Sequence, residues 1–127
     1  MLKIVVGAFF IFHGLVHLIG FFVNWQIIVV RSMPYETTVL AHKIEVGITG
    51  IRVVGLLWVV AACLWIAAGI GLLALAPWWL AMTVAALLFS TVMCILGWPE
   101  ARFGVMINIL IVVFLFLNGR YEWLLMS

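Results

Sequence analysis

The chain has 127 residues, 69% of them hydrophobic, with six basic and four acidic side chains and a net charge of +2; its mean hydropathy is +1.44. A soluble domain carries about 45–50% apolar and about 25% charged residues, so so few charges cannot cover a water-facing exterior, and the bilayer is the solvent that fits. The charge is also too small and too scattered for a nucleic-acid surface, which excludes that class of partner.

A spanning helix needs about 20 mostly apolar residues, and four such runs occur. The first is Leu2 to Val23. Lys3 followed by apolar residues is reminiscent of a signal peptide, but the run from Ile4 to Val23 is too long for an h-region, contains two histidines and lacks an A-x-A site. It reads as a membrane helix. A long first loop follows, Asn24 to Arg52. Its opening, Trp25 to Val30, is apolar enough to lie in the interface or to extend the first helix. Tyr35, Val39, Leu40 and Ile44 alternate with Glu36, Thr37, Lys43 and Glu45 in a pattern that predicts a short amphipathic helix on the membrane surface over Tyr35 to Val46. Gly47-Ile48-Thr49-Gly50 then reads as a flexible turn.

The second span runs from Val53 to Leu75 and is ended by Pro77; the third runs from Trp78 to Trp98 and is closed by Pro99. The fourth runs from Ala101 to Gly119, with an interfacial tail Arg120-Tyr121-Glu122-Trp123. None has a Lys, Arg, Asp or Glu in its middle, and unpaired backbone cannot face lipid, so helices are the form these runs must take. The expected fold is an all-α membrane protein, a four-transmembrane-helix bundle forming a single domain. Seven tryptophans suit such a chain, because an indole at the interface buries its ring and still hydrogen-bonds.

Loops one and three share a side and carry Arg31, Lys43, Arg52 and Arg102, against Lys3 and Arg120 opposite. Positive-inside counting puts the long loop in the cytoplasm and both termini outside. Small residues mark packing positions: the pair Ala81 and Ala85 on the third helix, and Ala61, Ala62, Ala67, Ala68 and Gly69 on the second. Cys63 and Cys94 sit alone in apolar runs, without CxxC spacing, and read as small buried hydrophobes.

Chemistry concentrates on the first helix. His13 and His17 are four apart and share one face, continued by Gly20 and Asn24. Ionisable groups inside membrane helices face the bundle interior and are functional candidates, and an i, i+4 pair can hold one metal ion. Zinc wants a third and usually a fourth ligand, for which only His42 and Glu45 in the first loop present themselves. A six-coordinate haem would need ligands on two helices, and only one carries them. Counting at 1.5 Å per residue, His17, Trp58, Ser90, Thr91 and Asn108 fall at one depth beneath the charged face. Such a layer either surrounds a small ligand cavity or sets helix register through interhelical hydrogen bonds. On the charged face itself, Glu36, His42, Glu45, Arg52 and Arg102 are candidate contacts. Arg102 is badly placed for the dipole of its own helix, so it is expected either to pair with Glu100, Glu36 or a lipid phosphate or, as the plainer reading, to serve as a snorkelling interface anchor.

Three stretches, His13-Gly14-Leu15-Val16-His17-Leu18-Ile19-Gly20-Phe21, Gly50-Ile51-Arg52-Val53-Val54-Gly55-Leu56-Leu57-Trp58 and Trp98-Pro99-Glu100-Ala101-Arg102-Phe103-Gly104-Val105-Met106-Ile107-Asn108, together resemble a group of small bacterial four-helix membrane proteins, broadly DoxX-like in shape. The resemblance implies a bacterial cytoplasmic-membrane protein and no particular activity. With no nucleophile–base pair, acid pair or phosphate loop, the expectation is a non-enzymatic protein without a cofactor, either a self-associating bundle or an accessory subunit of a membrane complex. The alternative is a module that binds haem, metal, quinone or lipid through the first-helix histidines.

Overall fold

The computed structural model describes residues 1–121, so Glu122 and Trp123 of the expected interfacial tail lie outside the described residues. Helices α1 (Leu2–Asn24), α2 (Gly47–Leu73), α3 (Trp79–Leu96) and α4 (Arg102–Tyr121) are joined by a first loop that holds a two-stranded ribbon, β1 (Thr38–Val39) and β2 (Ile44–Glu45). All four helices are long and apolar enough to cross a membrane.

Helices α1 and α2 both end without glycine. After α1, Gln26 adopts a left-handed φ of 57°, its N–H reaches Val23 O at 3.0 Å, and Ile27 N–H reaches Phe22 O at 2.8 Å. After α2, Leu75 takes a φ of 53°, with Leu75 N–H on Leu72 O and Ala76 N–H on Gly71 O. Each is a Schellman closure, which satisfies carbonyls that the helix end would leave bare.

The amphipathic helix expected over Tyr35 to Val46 is not formed. Thr38 pairs with Glu45 and Val39 with Ile44, antiparallel, around a turn in which Leu40, Ala41 and His42 all have positive φ. Two causes favour the ribbon. Thr37, Thr38, Val39, Ile44 and Val46 are β-branched and suit extended backbone. In addition, Leu40 N–H donates to Leu96 O and Ala41 N–H to Trp98 O, both at 2.9 Å, so the turn supplies partners for carbonyls at the C-terminal end of α3. These bonds also place the first loop and the α3–α4 turn on one face. A second difference lies at Gly47 to Gly50, which forms the first turn of α2 rather than a flexible link. Glu45 Oε1 accepts the Gly47 N–H at 3.0 Å, and Gly47, at φ 74°, turns the chain from ribbon to helix.

The closest seam is α1 against α2. A Cβ on Gly14 would lie 2.8 Å from Ala62 O, and one on Gly20 would lie 2.5 Å from the Trp58 ring. Hydrogen atoms at these positions let the backbones meet, the packing that lipid rewards because tails cannot fill such gaps better. Ala61, Ala62, Ala68 and Gly69 are buried as expected, but Ala81 and Ala85 face outward, and α3 packs instead through Thr83, Ala86, Leu87, Ser90, Met93 and Cys94. Cys94 is buried, whereas Cys63 is exposed, contrary to its expected burial. The core has two apolar clusters, one around Trp65 with Phe10, Leu72 and Ile111, the other around Trp58 with Ala61, Met93 and Cys94. Helix α4 is peripheral: 11% of its apolar stretch is buried, against 39% in α2.

Candidate functional site beneath the charged face

Between the two clusters lies a polar layer drawn from α1, α3 and α4. His13 Nε2 is 3.0 Å from Asn108 Oδ1. The Asn108 amide nitrogen lies 3.1 Å from both Ser90 Oγ and Thr91 Oγ1. Ser90 Oγ is 2.5 Å from His17 Nε2, and His17 Nδ1 is 2.7 Å from the His13 carbonyl. Donor counting orients every bond. Both amide hydrogens of Asn108 go to hydroxyls, so its Oδ1 accepts and His13 must donate from Nε2. The His13 carbonyl can only accept, so His17 donates from Nδ1, and the Ser90 hydroxyl proton goes to His17 Nε2. That nitrogen therefore carries a lone pair, and the His17 proton sits on Nδ1, donated to the backbone. The layer is a directed network of neutral groups that nearly closes on itself, and the Nδ1 lone pair of His13 takes no part in it.

The helix packing explains this placement. His13, Gly14 and His17 fall on the buried stripe of α1, while Ser90 lies on the buried stripe of α3. His13 meets the Trp65 ring edge-on at 4.9 Å between centroids, and His17 meets Trp58 at 5.5 Å. Thus His17, Ser90, Thr91 and Asn108 come together at the depth counted for them, and His13, one turn away on α1, joins them through Asn108. Trp58 joins by ring packing, not by the hydrogen bond that the depth argument assigned to it. Trp65, which the sequence reading did not single out, forms the other wall; its buried Nε1–H is the one buried side-chain donor without a hydrogen-bond partner among the described residues.

Beside the layer is a cavity of about 160 Å³ between α1 and α4. His13, His17 and Trp58 bound its inner side, Val16, Ile19, Phe103 and Ile107 its lipid-facing side, and Met33 and Glu100 its end at the charged face. Gly20 and Gly104 also line it, at close approaches where a Cβ would meet the Trp58 ring and Cys94 Sγ at 2.5 Å. Ile107 also borders a second, apolar groove of about 380 Å³ that continues along α1 and α4 past Phe9, Phe10, Leu110 and Phe114.

The charged face is arranged differently from the expected pairings. His42 sits between two carboxylates, Nδ1 2.6 Å from Glu36 and Nε2 3.4 Å from Glu100. Neither His42 nor Glu45 bonds to the α1 histidines, so the supplementary ligands sought for a metal at His13 and His17 do not come from the first loop. Arg102 pairs with neither glutamate among the described residues; its guanidinium lies over the Phe103 ring at 5.2 Å. Arg52 lies over Trp25 at 5.3 Å, and Trp25 Nε1–H donates to the Arg52 carbonyl at 3.0 Å. Glu36 and Glu100, which the sequence reading offered to Arg102 as alternatives, both lie against His42; only the fold of the ribbon onto the α3–α4 turn brings the three together.

Comparison with protein-family models, with curated proteins and with solved structures yields no match.

Proposed function

We propose that this is a non-enzymatic multi-pass membrane protein that binds a lipid-soluble molecule with a compact hydrogen-bonding head and an aliphatic tail, of the quinone or lipid class. One observation carries the reading: the histidine-lined cavity and the apolar groove between α1 and α4 lie side by side, with Ile107 as a shared wall. Pockets that enclose a drug-sized ligand measure about 300–1,000 Å³; at about 160 Å³ the cavity takes only a head group, and the groove takes the tail. Haem fits less well, because both His17 nitrogens are engaged and both histidines stand on one helix. The same reading takes the membrane to be the cytoplasmic membrane of a bacterium, with the long loop cytoplasmic and both termini outside; the basic residues of that face and the motif resemblance to small bacterial four-helix membrane proteins support it.

The test is extraction of protein purified in mild detergent, with mass spectrometry of the lipids and quinones retained. One species enriched over the bulk membrane is expected, reduced at least about tenfold, or 1.4 kcal/mol, by Val16→Trp, which fills the cavity's lipid-facing side from a half-exposed position. No enrichment, or equal enrichment in the variant, overturns the reading.

Self-association is a second reading, favoured by the outward placement of Ala81 and Ala85 on α3, a small-xxx-small pair that no helix among the described residues covers. Cross-linking in native membranes that is unchanged by Ala81→Ile with Ala85→Ile counts against it.

A further inference from the structure

We propose that Glu36, His42 and Glu100 form a binding site for one divalent transition-metal ion of the zinc class at the charged end of the bundle. Their ligand atoms all lie within 4.8 Å of one another, and they come from three separate segments: the irregular stretch leading into β1, the turn between β1 and β2, and the α3–α4 turn. Two carboxylates and a neutral imidazole present a charge of −2, which matches a divalent cation. One nitrogen and two carboxylate oxygens suit zinc or a similar borderline ion, and three protein ligands leave the fourth position to water. Calcium prefers six to eight oxygens and magnesium a near-ideal octahedron, so both fit less well.

An ordinary ion pair accounts poorly for the arrangement. Four cations, Arg31, Lys43, Arg52 and Arg102, belong to this face, yet none forms an ion pair with Glu36 or Glu100 among the described residues. One imidazole is left to serve two carboxylates, and it serves them unequally, at 2.6 and 3.4 Å. A cation among the three groups resolves that imbalance. The backbone is already held for it, since the bonds of Leu40 and Ala41 to Leu96 O and Trp98 O fix the ribbon on the α3–α4 turn; only side chains need to turn. A bound ion would fasten the first loop across the end of the bundle, where Glu100 also borders the lipid-facing cavity.

The site stands apart from the histidine layer, and the experiment separates the two. Isothermal titration of the purified protein with Zn²⁺ is expected to give one ion per chain in the micromolar range or tighter. Glu36→Gln, His42→Ala and Glu100→Gln should each weaken it by at least the roughly 10–100-fold that a lost outer-shell partner costs, whereas His17→Ala should leave it unchanged. The three ligands are part-exposed, so these variants keep the fold, which size-exclusion and circular dichroism verify. Absence of micromolar binding, binding undiminished in the three variants, binding lost with His17→Ala, or displacement of Zn²⁺ by equimolar Ca²⁺ would each overturn the proposal.

Discussion

Replacing Asn108 by Leu separates the hydrogen bonds of the polar layer from its packing. The two side chains are close in size, but Leu forfeits three interhelical bonds, one from His13 and two to Ser90 and Thr91. At about 0.6 kcal/mol for an average interhelical bond in a membrane, their loss comes to about 2 kcal/mol. Stranding the His13 N–H in an apolar site adds about 1–3 kcal/mol, while the added apolar contact of Leu offsets part of this. A net loss of about 2–4 kcal/mol is expected, against about 1.6 kcal/mol for Thr91→Val, which removes one bond and leaves one Asn108 N–H unpaired at the half-buried rim, the low end of that penalty. Reversible unfolding by SDS in mixed micelles, followed by tryptophan fluorescence, measures both. Combining Asn108→Leu with His13→Phe should cost less than the sum of the two, since the stranded donor is then gone. Equal costs for Asn108→Leu and Thr91→Val, or strict additivity in the double variant, would refute the hydrogen-bond reasoning.

The same assay reaches the helix seam and the core. Gly14→Ala drives a methyl to 2.8 Å from Ala62 O and 2.9 Å from Trp65 Cβ, so a loss of about 1–3 kcal/mol from overpacking is expected; Gly119→Ala, where a Cβ meets nothing within 4 Å, should be neutral or gain up to about 1 kcal/mol of helix propensity. Similar effects at the two positions would mean that α1 and α2 part without cost. Trp65→Ala should cost about 3–5 kcal/mol, but Trp65→Phe within about 1 kcal/mol of wild type, because the lost ring contact is offset by removal of a stranded N–H worth about 1–3 kcal/mol. A Phe variant as unstable as the Ala variant would reveal a partner for that indole.

The four helices and the polar layer are legible in the sequence because each rests on a count along one chain segment. Apolar run length gives the spans, and 1.5 Å per residue puts His17, Ser90, Thr91 and Asn108 at a common depth. The ribbon is not legible for the opposite reason. Leu40, Ala41 and His42 take left-handed backbone without a Gly or Asn among them, and what holds them is a pair of carbonyls more than fifty residues away in sequence. The same holds at Gln26 and Leu75, where Schellman closures form without the glycine that usually announces them. The pairing of His42 with Glu100 follows from the ribbon and was hidden with it. Depth counting also says nothing about azimuth, which is why Trp58 reached the layer through a tilted ring contact and Ala81 and Ala85 turned outward.

Helix α4 shows what the bilayer can and cannot replace. A lipid tail can stand in for most of the apolar side chains with which α4 touches its neighbours, so those contacts hold it only loosely against its own solvent. No tail can imitate the carboxamide of Asn108, which must both accept from α1 and donate to α3. Much of the address of this helix within the bundle is thus written in one residue, and its outward side can answer to other demands, such as the shape of whatever lies between it and α1.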